Sequence, residues 1–270
     1  MLPEWPTIAD FLRFWLEENP LTGRDREVFD RYYRNYRRSF SPYMQHHFAA
    51  QSREVLELLR AQPSARLLEV GAGCGTEALW FALHGARVTA IDIEGTRLAT
   101  ARARRDWLAA RRGQPIDAEF VEASLFDLEP AGTFDLIWME QTFHHVEPRE
   151  DVYGALFALL RPGGTLVISE VNAWNLALQL QLLLRRGWRT QRTFVDARGR
   201  RLPYGVERIT TPGALRRGLE AAGFRGTSIR PFRLLPNSSP PAAWLPVERA
   251  IIDALPLLST HFNVVSNRPR

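Results

Sequence analysis

The chain has 270 residues, 45% of them hydrophobic and 24% charged, with a formal net charge of +5. That length and composition suit one large globular domain, or a domain with an appendage, and allow a sizeable core. No apolar run approaches the ~18 residues of a membrane span, and the single cysteine, Cys74, excludes an internal disulfide and fits a reducing, cytoplasmic setting.

The opening MLPEWPTIADFLRFW carries acids and no basic segment, so a signal peptide is not expected. IADFLRFWL has apolar residues at helical spacing, and RYYRNYRRSF is aromatic and basic. Ser41 is a plausible cap and Pro42 the first helical residue of SPYMQHHFAAQSREVLELLR. Pro63 and Ser64 break this pattern, so residues 1–62 read as a helical N-terminal cap. From Ala65 the texture alternates. RLLEV, RVTAIDI, AEFVEA, FDLIWM and TLVISEV read as strands, with helical stretches between most of them, which predicts a parallel sheet covered on both faces. NAWNLALQLQLLLRRGW favours a helix, although its leucines at 176, 178, 180 and 182 also suit a strand. The arginine-rich stretch that follows, with Gly199 and Gly205, reads as a loop. Thr211 caps a helix that Gly223 ends. FRGTSIRPF and HFNVVSN read as the last strands, separated by a proline-rich excursion over 236–260. The Asn237-Ser238-Ser239 sequon carries no weight without a secretory signal.

The sequence contains no lysine, so all basic side chains are arginine. They scatter over Arg102, Arg104, Arg105, Arg111 and Arg112, and again over Arg185, Arg186, Arg189, Arg192, Arg198, Arg200 and Arg201. Two readings stand: compositional bias, or an anionic partner gripped by bidentate guanidinium contacts. No zinc-finger spacing or aromatic RNA-binding signature accompanies them, so a nucleic-acid partner is not expected.

Gly71, Gly73 and Gly75 in LLEVGAGCGTEALWF lie at the first strand-to-helix turn. There they let a ligand lie against backbone N–H groups near a helix N-terminus. A dinucleotide fingerprint needs a third glycine where Thr76 stands, and Glu69 offers nothing to a pyrophosphate. A ligand with a cationic amino group would suit that acid. Asp92, ending the second strand, is placed to accept two ribose hydroxyls, the alternative being a helix N-cap.

Together these residues resemble the class I S-adenosylmethionine-dependent methyltransferases, strongly over residues 65–171 and loosely over 205–270. LLEVGAGCGTEALWFA resembles the first family motif, AIDI supplies the ribose acid, FDLIWMEQTFHHV resembles the fourth-strand motif, and LLRPGGTLVISE the turn into the fifth strand. The resemblance implies an α/β, Rossmann-like, doubly wound seven-stranded sheet, parallel with an antiparallel final strand, over 63–270. It implies a lid or acceptor insertion at 172–210. It also implies S-adenosylmethionine as cofactor, S-adenosylhomocysteine as product, and contacts from Glu69, Gly71, Ala72, Gly73, Gly75, Asp92, Ile93, Ser124, Leu125 and Met139. The family often has an acid near the adenine where this chain has Ser124, flanked by Glu122 and Asp127, and a small polar residue where it has Glu140.

Methyl transfer to a hydroxyl needs a base, and the fourth strand's end opens onto the methyl in this family. Glu140, His144 and His145 are the candidates, Glu140 and His144 sharing a face if the segment is a short helix. A histidine that merely caps or packs is the alternative, and no metal is expected. Tyr32, Tyr33, Tyr36, His46 and His47 are candidates to line the acceptor pocket or close over the cofactor. The leucine-rich helix, with Trp188, Arg185, Arg186 and Arg189, reads as an apolar lid or an interfacial element touching a membrane or lipid-like substrate. The expected activity is O-methylation of a secondary metabolite, sugar or quinone-like acceptor by a cytoplasmic monomer or homodimer. N- or C-methylation of a lipid-like acceptor, non-catalytic cofactor binding and a nicotinamide oxidoreductase are the alternatives.

Overall fold

A computed structural model describes residues 5–196, 199–235, 238–241 and 243–270, so Arg198 and Asn237 lie outside the described residues. The chain divides into two compact units, one of Met1–Ser124 with Asn237–Pro240 and one of Leu125–Pro236 with Pro241–Arg270.

The first unit opens with α1 (Ile8–Glu17), α2 (Gly23–Tyr32), α3 (Arg34–Arg38), α4 (Pro42–Gln51) and α5 (Arg53–Ala61). It continues through β1 (Arg66–Val70), α6 (Thr76–Leu83), β2 (Arg87–Asp92), α7 (Gly95–Arg112) and β3 (Ala118–Glu122). A capping box starts α1: Thr7 Oγ1 accepts from the Asp10 N–H and the Asp10 carboxylate accepts from the Thr7 N–H. Ser41 Oγ accepts from the Met44 N–H at the start of α4, with Pro42 in the first turn as expected. Phe11, Leu12 and Trp15 of α1 are fully buried, and α1 packs against α4 and α6 while α2 packs against α7. Strand order here is β3-β2-β1, all parallel, with Val70 level with Ile91 and Asp92 level with Glu122. That register brings the carboxyl ends of the three strands into line.

Arg104 is one of the largest fully buried side chains in the described protein. It comes from α7, stacks 4.4 Å from the Trp15 ring and 5.0 Å from Phe29, and donates through Nη1 to the Cys74 carbonyl (2.6 Å) and Thr76 Oγ1 (2.9 Å). Thr76 Oγ1 also shares a 2.6 Å hydrogen bond with the Tyr33 hydroxyl. A desolvated guanidinium between aromatic faces is worth about 2 kcal/mol. The aromatic helical cap therefore supports the glycine turn from beneath.

The second unit contains β4 (Phe134–Glu140), α8 (Arg149–Leu159), β5 (Leu160–Val171), α9 (Leu176–Arg186), β6 (Gln191–Val195), β7 (Arg201–Gly205), α10 (Pro212–Ala221), β8 (Arg225–Phe232), α11 (Trp244–Ala254) and β9 (His261–Asn267). Its sheet order is β4-β5-β9-β8, with β4 and β5 parallel and β9 antiparallel to both neighbours. The seven-stranded sheet with an antiparallel last strand is thus the one the sequence predicts. Every residue of β5 from Gly164 to Val171 is buried, as a strand covered on both faces requires.

Two local expectations change. Arg161-Pro162-Gly163-Gly164 belongs to the start of β5 as an irregularity, the register jumping from Phe134–Leu160 to Leu136–Thr165. The arginine-rich stretch read as a loop contains the hairpin β6–β7, paired from Gln191–Gly205 to Val195–Arg201. Its strands are largely exposed, so the polarity that suggested a loop is that of a ribbon with little buried surface. Residues 172–210 are pinched at their base, where Asn172 bridges to Thr210 and the Ala173 N–H donates to the Thr210 carbonyl (3.0 Å).

Candidate active site

In the first unit, Gly71, Gly73 and Gly75 have φ of +83°, +51° and +74°, backbone that costs glycine little. The N–H groups of Gly71 and Ala72 both donate to the Ile91 carbonyl, at 2.8 and 3.0 Å. Asp92 Oδ2 accepts from the Gly73 N–H and Oδ1 from the Glu94 N–H, each at 2.9 Å. Glu94 is the N-cap of α7, so Asp92 is not that cap; it fastens the glycine turn to the end of β2. Each of its oxygens has lone-pair capacity left for a hydroxyl. Glu69, two residues before the first glycine, is buried, as is Ala72, whereas Ile93 is half-buried.

The glycines do different work. A Cβ on Gly75 would meet Ala101 Cβ and the Phe120 ring at 2.8 Å, so Gly75 lets helix and strand pack closely. A Cβ on Gly73 would lie 2.2 Å from the Tyr32 hydroxyl oxygen, so Gly73 clears the upper side of the turn, where Tyr32 now rests. This bears on the expectation that Tyr32 and Tyr33 close over the cofactor: Tyr32 lies on the turn, and Tyr33 holds Thr76 below it. Burial pushes the Cys74 thiol up to about 12, against the opposing charge of Arg104, which leaves it unreactive.

Ser124 follows β3, and Leu125 opens a short 3₁₀ turn, Leu125–Asp127. The flanking acids separate. Glu122 lies against Gly95 at the first turn of α7, where a Cβ would be 2.0 Å from its Oε2, a favourable end of the helix for an anion. Asp127 is gripped by both Arg200 Nη atoms at 2.8 Å.

In the second unit, Met139 is fully buried beside Ile168, one residue before the end of β4. Glu140 is the last residue of β4; its Oε1 accepts from Gln141 Nε2 (2.8 Å). The helical turn starts only at Phe143 and spans Phe143–His145, so Glu140 and His144 do not share a helix face. The reason is local: Gln141 takes φ of +45° and the Gln141 N–H still donates to the Ser169 carbonyl (2.9 Å), prolonging the strand pairing beyond Glu140.

His144 pairs instead with a residue the motif reading did not single out. Its Nδ1 is 2.9 Å from both oxygens of Glu170, which also accept from the His144 and Val171 N–H groups at 3.3 and 2.9 Å. Both side chains are buried. Burial opposes a charged imidazole, but the Glu170 carboxylate outweighs it and raises the His144 pKa above its ordinary 6.5. Burial likewise opposes the Glu170 charge, yet His144 and the two N–H donors lower that carboxyl below 4.5. His145 goes the other way: burial first, then the neighbouring His144, bring it down to about 4. Its Nδ1 donates to the Gly205 carbonyl (2.8 Å) and its ring stacks 4.6 Å from Tyr204. Adjacent histidines are thereby driven to opposite protonation tendencies, a pattern of acid–base sites.

The β6–β7 hairpin completes this cluster. A Cβ on Gly205 would be 2.3 Å from the His144 carbonyl oxygen, and the Arg208 N–H donates to that oxygen (3.3 Å). Glu207, at φ of +49°, brings Oε2 to 3.6 Å from His144 Nε2. His144, His145 and Glu207 offer ligand atoms that all lie within 4.8 Å of one another, a geometry able to hold a metal ion. Glu170 carries the same signal that marked Glu69, an acid near the carboxyl end of an apolar strand; Glu207 carries none.

The family model of a methyltransferase domain matches residues 43–229. A malonyl-[acyl-carrier protein] O-methyltransferase of Enterobacter lignolyticus is 30% identical over 153 residues, 55% of either chain. A ubiquinone biosynthesis O-methyltransferase of Aromatoleum aromaticum is 32% identical over 107 residues, 40% of this chain and 44% of that one. The chain thus spans about half the length of the curated relatives it matches. A SAM-dependent methyltransferase structure from Methanosarcina mazei shares the fold, with a TM-score of 0.55 at 18% identity over 77% of this chain and 94% of that one. With the glycine turn, the Asp92 staple and this sheet order, these matches establish that the chain belongs to the class I S-adenosylmethionine-dependent methyltransferases.

Proposed function

We propose that this protein transfers a methyl group from S-adenosylmethionine to an oxygen of a small molecule, a secondary metabolite, sugar or quinone-like compound, in the cytoplasm, as a monomer or homodimer. The observation that carries the acceptor half is the buried His144–Glu170 pair just beyond β4. The residues that would hold the cofactor are the glycine turn for its carboxylate, Glu69 for its ammonium, Asp92 for its ribose, and Ile93, Ser124 and Leu125 for its adenine. When bound, the cofactor supplies an electrophilic methyl on a sulfonium. An acceptor oxygen would bond to that carbon as the carbon–sulfur bond broke, sulfur keeping the electron pair. His144 Nε2 takes the hydroxyl proton, and Glu170 stabilises the imidazolium that results. Glu207, whose side chain is 41% exposed, then offers the proton a route to water. Glu140 and His145 shape the same end of the site. Residues 1–62 serve as the cap over the cofactor, 172–210 as the acceptor-side insertion and 236–260 as an outer excursion of the 63–270 domain. The names of the relatives, both O-methyltransferases, support oxygen as the target.

The test is calorimetry with S-adenosylhomocysteine and NAD, followed by mass spectrometry of a cell extract incubated with the protein and methyl-labelled cofactor. Binding of the first compound and not the second, with a new O-labelled product, is expected. A label on nitrogen or carbon would replace the oxygen assignment, and binding without any labelled product would favour a non-catalytic role. Activity should survive dialysis against a chelator, because His144 acts here as a base; loss on dialysis, restored by a divalent ion, would instead make His144, His145 and Glu207 metal ligands.

A further inference from the structure

Helix α9 is oriented against the usual rule for a surface helix. Its inward side is marked by Leu182, the one buried residue in it, while Leu176, Leu180 and Leu184, spaced four apart on the opposite face, are 80%, 58% and 79% exposed. Trp188, just past the helix, is 88% exposed. A second apolar element joins its start: Asn175 Nδ2 donates to the Leu258 carbonyl (2.9 Å), tying on the 3₁₀ turn Pro256–Leu258, where Leu257 and Leu258 are also exposed. The charge along the α9 segment has one sign. From Asn172 to Val195 the sequence has four arginines, Arg185, Arg186, Arg189 and Arg192, and no carboxylate. Arg185, Arg189 and Arg192 are exposed.

From this geometry we infer that the outer face of α9 docks on the surface of an anionic lipid bilayer. Leucines buried in the acyl boundary, a tryptophan at headgroup level and a flank of arginines facing lipid phosphates are the composition of an in-plane interfacial helix. The helix lies on the bilayer and does not cross it: 11 residues make about 16 Å of helix, and no helix among the described residues is long and apolar enough to span a membrane. A protein partner would need acids to match the arginines as well as an apolar groove; an anionic bilayer supplies both features by itself.

The experiment is sedimentation of the full chain with vesicles of phosphatidylcholine alone and of phosphatidylcholine mixed with phosphatidylglycerol, without cofactor or acceptor. Binding to the mixed vesicles, much weaker binding to the neutral ones and weakening by salt are expected. The double variant L180E/L184E should abolish binding, and R185Q/R189Q should weaken it roughly 30-fold, at about 1 kcal/mol per arginine. Both variants change exposed positions, so their melting temperatures and S-adenosylhomocysteine binding should match the parent, which separates a lost surface from a lost fold. The inference is overturned if neither vesicle binds, if L180E/L184E binds as well as the parent, or if charge makes no difference. It is equally overturned if the parent is a dimer that L180E/L184E splits, since a second copy then covers the face. Vesicle binding is read without methyl transfer, so this inference and the proposed activity can fail separately.

Discussion

Replacing Asp92 by alanine is expected to weaken S-adenosylhomocysteine binding at least about 100-fold. Two losses combine. A charge-assisted hydrogen bond contributes about 1.5–3 kcal/mol, and Asp92 is the acid available to the ribose hydroxyls at the end of β2. The same carboxylate holds the Gly73 N–H at 2.9 Å and the Glu94 N–H at 2.9 Å, so its removal also frees the glycine turn that should lie against the cofactor. About 3 kcal/mol in total is a factor of more than 100. Asp92→Asn keeps the size and one acceptor and should fall in between. Calorimetry gives the affinities, and thermal melting with and without ligand separates binding from folding. At 100 times its dissociation constant the ligand should add about 2.7 kcal/mol to the parent and little to D92A at the same concentration. An unchanged ligand-induced shift in D92A would remove the cofactor assignment from this turn.

The turn was legible in sequence because its chemistry is local. Three glycines, an acid before them and an acid ending the next strand lie within 24 residues, Glu69 to Asp92, and parallel pairing aligns neighbouring strand ends without further information. Asp92 reads in the sequence as a ribose ligand or a helix N-cap, whereas in the structure it holds the Gly73 and Glu94 N–H groups. The seven strands were legible for the same reason: apolar runs such as Leu166 to Ile168 need cover on both faces. The histidine cluster was half legible. His144 and His145 stand in a recognisable motif, but the partners that set their protonation, Glu170 and the Gly205 carbonyl, lie 26 and 60 residues away. Helical spacing favoured Glu140 as the partner because i, i+4 is the nearest-neighbour rule on a helix, and the strand pairing that Gln141 prolongs cancels that rule. Arg104 illustrates a different limit. Among so many arginines, nothing in the sequence marks the one that is buried between Trp15 and Phe29.

The pH dependence of turnover is expected to follow His144 and to move when Glu170 is changed. A base must be neutral to accept a proton, so activity should rise with pH through the His144 pKa, which lies above 6.5 because the Glu170 carboxylate overcomes the effect of burial. His144→Ala should lower kcat by roughly 10²–10⁴-fold with little change in KM. Glu170→Gln keeps the shape and a hydrogen-bond acceptor but removes the charge; burial of His144 is then unopposed, so the rising limb should shift to lower pH while the maximal rate falls. A purely structural Glu170 would lower the rate without shifting the limb. His145→Gln is the control, since a ring titrating near 4 is already neutral where the enzyme works; a limb that moves in H145Q and stays put in E170Q would transfer the role of base to His145. Stability should report the same pair with a definite sign. The raised His144 pKa contributes stability that is complete below 6.5 and lost as pH climbs through the folded value. The depressed Glu170 pKa contributes stability that is present above 4.5 and lost as pH drops through its folded value. These are two views of one ion pair, counted once, so the cost of E170Q, about 3 kcal/mol for breaking a buried pair, should be greatest between those limits and shrink on either side.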